Sequence, residues 1–351
     1  MAQDRTGKTY LVLASNNYLG FTHAPEVIEA ASRAALKFGT GSSGSRLTTG
    51  GTFIASELEK RLADFKHSES ALVFNTGYMT NLGILYGLLQ TGDVVFSDEL
   101  NHASIIDGCR ISRCKVVVYK HNDMADLQRL LETEIVTGQR FIVTDGVFSM
   151  DGDIADLPSL AVLKKQFNAC LIVDDAHGVG VIGNDGSGTA SHYGLTDVID
   201  LQVGTLSKAL AAEGGYVAGK KILIDYLINR SRPFIFSTAL APATLAAANA
   251  ALLLLQTQAS KYLDSLRANS RLMRRLLLEG GLNVVEGITP IIPVVIGEAG
   301  LTMQFADRLK SKGILVSGIR PPTVPRGESR LRITVAAAHC EEQLRQAAQS
   351  N

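Results

Sequence analysis

From Ala71 to Ala218 short apolar runs alternate with amphipathic stretches: Ala71 to Phe74, Val94 to Phe96, Val116 to Tyr119, Phe141 to Val143, Leu171 to Val173, Leu201 to Val203 and Tyr216 to Ala218. Uninterrupted runs rich in β-branched residues suit strands covered on both faces. The pattern therefore predicts an α/β fold with a mostly parallel central sheet flanked by helices. After Gly219 the period lengthens. Thr238 to Leu255 and Tyr262 to Leu278 read as helices, and Ile291 to Ile296, Gly313 to Val316 and Arg330 to Val335 as strands, which predicts a second, smaller α+β domain. The start of the chain, through the helix candidate Pro25 to Phe38, is expected to pack with that C-terminal lobe and make the large domain an insertion. The expected boundaries are 1–38 and 238–351 for the two parts of the small domain and 39–237 for the large one, with the glycine and serine loop Gly39 to Ser45 between them.

In parallel sheets ligands gather at the C-terminal ends of the strands, and the chemistry-bearing residues follow the apolar runs. Gly77-Tyr78 opens a helix whose backbone N–H groups suit a phosphate, although Gly77 alone could serve only a tight turn. His102 precedes another helix and could stack on a flat ring, or simply start that helix. Ser149 lies in a segment with Asp145, Asp151 and Asp153, three carboxylates that might otherwise suggest a divalent ion. The intervening Val147, Phe148 and Met150 argue against that, and no metal is expected. Asp174, at the end of Leu171-Ile172-Val173, should be partly buried and so should need a cationic partner, with His177 one turn further on. Thr205 and Ser207 flank Lys208.

An amine, an acid and an imidazole at strand ends are the set that pyridoxal 5'-phosphate asks for: an amine for a Schiff base, a carboxylate to keep the pyridine nitrogen protonated, and donors for ring oxygen and phosphate. Lys208 and Asp174 would fill the first two roles, though a buried arginine would satisfy Asp174 equally. Near the C-terminus, Arg330 and Arg332 fall on one face of a strand, where one could fork onto a carboxylate or both could be solvated.

Composition narrows the partners. With 351 residues the chain is long enough for two lobes with cores. Lys+Arg and Asp+Glu total 34 each, so there is no basic footprint for nucleic acid or an anionic membrane. Cys109, Cys114, Cys170 and Cys340 form no CxxC pair and no zinc spacing, which fits a reducing cytoplasm. The N-terminus lacks the apolar core of a signal peptide, and the longest apolar stretch, from Ala239 to Leu255, contains Pro242, Thr244 and Asn249 and reads as a buried helix.

Seven ordered motifs then carry a resemblance: Ser15-Asn16-Asn17-Tyr18-Leu19-Gly20, Gly44-Ser45-Arg46-Leu47, Asn101-His102-Ala103-Ser104, the segment Thr144 to Gly152, Val173-Asp174-Asp175-Ala176-His177-Gly178, Gly204-Thr205-Leu206-Ser207-Lys208 and Ile319 to Val324. Together they resemble the α-oxoamine synthases, pyridoxal-phosphate enzymes of transferase fold type I. The resemblance implies that Lys208 forms the Schiff base with the cofactor, His102 stacks on its ring, Asp174 holds the pyridine nitrogen and His177 the phenolic oxygen. It further implies that Ser149 contacts the ring-oxygen side and that Gly77, Tyr78 and Thr205 help hold the cofactor. Thr238 is similar to a phosphate contact supplied by the second subunit of a homodimer whose active sites lie at the interface. Asn16, Thr323 and Arg332 match substrate-side positions, with Arg332 as the carboxylate clamp.

The expected reaction is a decarboxylative condensation of L-alanine with a pimeloyl thioester, carried on coenzyme A or a carrier protein, in biotin synthesis. Two alternatives stand beside it: a glycine- or serine-using member such as a glycine C-acetyltransferase, and a non-catalytic cofactor-binding protein. Three departures bear on substrate preference. The chain reaches Ser15 without the further helical segment that family members carry, Ala55 stands where His is frequent, and Ala211 where Gly is common.

Overall fold

The computed structural model describes residues 1–349. All seven apolar runs form strands of one sheet: β1 (Ser70–Phe74), β2 (Val94–Asp98), β3 (Lys115–Tyr119), β4 (Arg140–Asp145), β5 (Ala169–Asp174), β6 (Leu201–Thr205) and β7 (Gly215–Gly219). Their order is β1-β7-β6-β5-β4-β2-β3. Every pairing from β6 through β3 is parallel, and β7 alone runs antiparallel to both of its neighbours.

Alternation along the strands sends successive side chains to opposite faces, and each face is covered. Phe141, Val143 and Ile172 enter a core with Ile84, Leu85 and Ile105 from the helices α1 (Gly77–Leu88) and α2 (Ala103–Ile111). Ile142, Leu171 and Val173 enter a second core with Leu127, Leu131, Leu157 and Leu160. Burial on both sides is the physical reason these strands read as unbroken apolar runs.

The chain divides into two compact units, one of Met1–Gly20, Ser149–Asp153 and the chain from Ser260 onward, the other of Phe21–Phe148 and Ile154–Ala259. The chain ends do share a unit, but the boundaries differ from those expected. The helix Pro25–Phe38 forms as predicted yet belongs to the larger unit, as does the segment from Thr238 to Ala259. Two helices follow Thr238 as expected: the helical stretch α3 (Pro242–Glu279) is broken at Gln258, where φ is −132° and ψ 28°, within the gap between Leu255 and Tyr262. Thr257 turns its hydroxyl back to the Leu253 carbonyl at 2.8 Å, a bond that competes with the helical ladder, and the unit boundary falls beside this break.

The smaller unit holds two three-stranded sheets. One pairs Ile291–Gly297 with Ser329–Thr334 and that strand with Ser317–Ile319, all antiparallel. The other sets Thr9–Val12 parallel to Ile314–Leu315 and antiparallel to Ala2–Gln3. Leu11, Leu13, Met273, Ile292, Leu331, Ile333 and Leu344 fill its core.

Candidate active site

Four strand ends of the larger unit converge on one cluster. Asp174 closes β5 with its carboxylate buried at 6% exposure. Oδ2 accepts from Asn81 Nδ2 at 2.6 Å and Oδ1 from the Ala176 backbone N–H at 3.0 Å. Among the described residues no arginine or lysine pairs with it, so the buried-arginine alternative is not realised. A buried carboxylate held only by neutral donors suits a cation supplied from outside the chain.

Lys208 follows β6, and its Nζ lies 2.9 Å from His177 Nε2. The turn beneath it is fixed by Thr205, whose hydroxyl donates to the Gly214 carbonyl at 3.0 Å and accepts the Ser207 N–H at 3.1 Å. Ser207 itself is exposed.

Of the two functions weighed for His102, the helix start is observed. It is the N-cap of α2, where its Nδ1 accepts the Ser104 N–H at 3.2 Å, and its ring belongs to the Asp174 cluster. Burial is the main cause that lowers its pKa from the ordinary 6.5, with the Asp174 charge opposing and Lys208 assisting. Asp145, paired in register with Asp174 on the neighbouring strand, takes the His102 backbone N–H on Oδ2 at 3.0 Å. Burial and then the Asp174 charge push its carboxyl well above the usual range. No cluster of three or more metal-ligating side chains occurs among the described residues.

Thr76 caps α1 through its hydroxyl, which accepts the Met79 N–H at 3.0 Å, and Gly77 faces Thr205. Tyr78 is exposed and donates its phenol to Asp107, which raises the phenol's pKa. Thr238 is exposed, and its carbonyl accepts from Asn75 Nδ2 at 2.7 Å.

Behind the cluster lies a buried ion pair that the sequence reading did not single out. Lys66 Nζ is 3.1 Å from Asp175 Oδ2, and both side chains are almost wholly buried. Thr189 adds its N–H at 3.0 Å and its hydroxyl at 2.9 Å to the same carboxylate. Gly188, at φ 112°, and Gly178 approach so closely that a Cβ would stand 1.7 and 1.9 Å from Asp175 Oδ atoms. Asp174 therefore faces the cluster while Asp175 pins the turn that leads to His177.

In the smaller unit Arg332 is buried. Its Nε donates to the Ser149 carbonyl, Nη1 to Thr334 Oγ1 at 2.9 Å and Nη2 to Asn16 Oδ1 at 3.2 Å. Tyr18 also reaches Asn16 Oδ1, and burial pushes its phenol up to about 12. Arg330, on the same strand face, is consumed by Asp151 and Glu328. Neither arginine is a solvated strand residue. Thr323 is exposed, and its N–H donates to the Arg320 carbonyl at 3.1 Å.

Besides Lys66, the residues that the sequence reading missed are Asn81 and Ser104, together with the place of Asp145 beside Asp174. Each carried a signal: a lone amide in the apolar run Leu82 to Leu85, a serine two places after His102, and a second carboxylate closing an apolar strand.

A parallel sheet with an amine, an imidazole and a cation-seeking carboxylate at its strand ends defines a pyridoxal-phosphate transferase site. The aminotransferase class I and II family model matches residues 8–350, and the chain belongs to that family. Within it, the chain is 49% identical over 338 residues to 8-amino-7-oxononanoate synthase of Lysinibacillus sphaericus, covering 96% of this chain and 87% of that one. It is 51% identical over 342 residues to the same enzyme of Geobacter sulfurreducens, covering 97% and 88%.

Among solved structures it superposes on serine palmitoyltransferase from S. paucimobilis with a bound PLP–myriocin aldimine at TM-score 0.95 and 33% identity, covering 98% of this chain and 87% of that one. It superposes on 8-amino-7-oxononanoate synthase from Francisella tularensis at TM-score 0.82 and 30% identity, covering 97% and 96%. Both are α-oxoamine synthases, so the expected family and fold type are borne out.

Proposed function

We propose that this chain is a homodimeric, cytoplasmic, pyridoxal-5'-phosphate-dependent acyltransferase that condenses L-alanine with a pimeloyl thioester, releases carbon dioxide and the thiol, and forms 8-amino-7-oxononanoate for biotin synthesis. The observation that carries this reading is Asp174, a buried carboxylate with neutral donors on both oxygens and no cationic partner among the described residues. A protonated pyridine nitrogen matches that need, and Lys208 with His177 supplies the amine side of the same site.

When bound, the cofactor supplies an electrophilic carbon for the amino group of alanine and a ring that draws electron density from the α-carbon. Asp174 holds the proton on the ring nitrogen. Lys208 Nζ takes the α-proton and later returns one, with His177 Nε2 fixing the amine's position between those steps. His102 covers the ring face, and His177 also serves the phenolic oxygen. Gly77 and Tyr78 at the start of α1, with Thr205 and, from the second subunit, Thr238, hold the phosphate. Ser149 serves the ring-oxygen side. Asn16, Thr323 and Arg332 serve the substrate, and Arg332 keeps guanidinium hydrogens for the alanine carboxylate beyond those it gives to Ser149, Thr334 and Asn16.

Dimerisation is supported by a cleft of about 630 Å³ in the larger unit, where Phe38, Phe53, Ile54 and Leu253 lie among charged residues such as Glu57 and Arg61. Phe53 stands 63% exposed there, the kind of surface a second copy covers. The four cysteines are unpaired, in keeping with a reducing compartment.

The choice of alanine rests on sequence identity. Backbone likeness is higher to serine palmitoyltransferase than to the Francisella enzyme, but the backbone is common to the class and substrate choice lies in side chains. A panel of alanine, glycine and serine against pimeloyl-CoA, scored by thiol release, tests the assignment. Alanine should lead. Faster release with glycine or serine reassigns the substrate, and no release with any pair leaves a binding protein. Lys208→Ala should abolish release, and a variant that kept near-normal turnover would overturn the role of Lys208.

A further inference from the structure

Asn81 stands one turn into α1 and is only 3% exposed. A primary amide there is costly unless its hydrogens are used. Both are used: Nδ2 reaches Asp174 Oδ2 at 2.6 Å and Ser104 Oγ at 2.9 Å. Ser104 Oγ in turn lies 2.7 Å from His102 Nδ1, and the Ser104 backbone N–H donates to that same nitrogen. A backbone N–H can only donate, so Nδ1 presents its lone pair and the neutral ring carries its proton on Nε2. Ser104 Oγ, accepting from Asn81, is left to send its own hydrogen to Nδ1. The amide thus sets the direction of the Ser104 hydroxyl bond, in the same sense as the Ser104 backbone N–H, from Asp174 to His102.

We infer that Asn81 is a positioning residue: it holds the Asp174 carboxylate in the orientation that meets the cofactor ring nitrogen and, through Ser104, fixes His102 as the neutral Nε2–H tautomer. The inference deepens the function proposed above and rests on it. Asn81 touches neither substrate nor reacting atoms, and acts through two groups that do. The competing account is that Asn81 and Ser104 merely lock α1 to α2, whose close approach is visible where a Cβ on Gly108 would stand 2.7 Å from Leu85.

Two variants separate the accounts, read by titrating each apoprotein with pyridoxal phosphate and comparing its dissociation constant with that of the wild type at each pH from 5 to 8. Asn81→Leu removes the donors and should weaken binding roughly 10- to 100-fold at every pH, the range for a lost hydrogen bond to a charged group. Asn81→Asp places a carboxylate against Asp174. At neutral pH it should bind at least as weakly, and it should recover toward the wild type as pH falls, because the protonated carboxyl can again donate to Asp174 Oδ2. The titratable groups around that position are Asp174, Asp145 with Asp98 beyond it, His102 and Lys208; the Asp174 carboxylate favours the proton on the introduced group, and Lys208 opposes it.

Equal binding by the two variants at every pH, or binding like the wild type in both, overturns the inference. Should neither variant fold, nitrogen-15 spectra of histidine-labelled wild-type holoenzyme decide it: His102 with its proton on Nε2 is expected, and a proton on Nδ1 overturns it. Failure of the wild type to bind the cofactor would instead sink the proposed function, and the two failures are distinct.

Discussion

Ala211 sits at φ 54°, in the left-handed region that a residue with a Cβ enters at a cost of roughly 1–2 kcal/mol. It closes the turn after Lys208 by donating its N–H to the Lys208 carbonyl at 3.1 Å. The departure from the glycine common in related enzymes thereby acquires a physical meaning: the turn is kept and alanine carries its strain. Ala211→Gly removes that strain but gives the unfolded chain more freedom, worth about 0.4–1 kcal/mol in the opposite direction. The net expectation is a gain of up to about 1 kcal/mol, read as a small rise in the thermal midpoint, and a fall would show that the turn is unstrained in alanine. Ala55, where His was expected from the resemblance, is buried in the helix Phe53–Phe65, and nothing in the structure explains that exchange.

At the scale of elements, the Lys66–Asp175 pair joins the end of the helix Phe53–Phe65 to the turn after β5, with Ser187 and Thr189 completing its hydrogen bonds. Removing one partner leaves a charge buried without compensation. Lys66→Met should cost about 3–5 kcal/mol in chemical denaturation, and a loss below about 1 kcal/mol would mean that water or another cation replaces the amine. This pair also marks where sequence reading stops. The strands were legible because burial on both faces leaves runs such as Leu171 to Val173, and Asp174 and Lys208 were legible because such residues at strand ends need a reason to be there. The ends of Asn81, Ser104 and Lys66 meet partners 93, 2 and 109 residues away, and only the first and last of those separations hide the contact from any local pattern.

Across the whole molecule, a histidine in each unit ties stability to pH, His339 in the smaller and His102 in the larger. In the smaller unit His339 Nδ1 accepts the Ala336 N–H at 3.1 Å while Nε2 lies 3.1 Å from the Val12 carbonyl, so the ring is neutral and links the strand Thr9–Val12 to the segment before the last helix. Burial lowers its pKa below the ordinary 6.5, against the Val12 hydrogen bond, which raises it. Between the lowered value and 6.5 the unfolded chain binds the proton and the folded one does not. Its contribution is therefore complete above pH 6.5 and is lost as pH falls toward the folded value. His102 acts with the same sign in the larger unit, but there Asp145 opposes it: a carboxyl raised above 3.8 by burial contributes most below that value and loses its contribution as pH rises. The smaller unit should accordingly show the clearer acid loosening. Hydrogen exchange corrected for intrinsic rate should show protection of Thr9–Val12 falling as pH is lowered from 7.5 to 5, and His339→Gln, which keeps a donor and an acceptor but cannot titrate, should flatten that slope. A slope unchanged in the variant would assign the acid sensitivity to other groups.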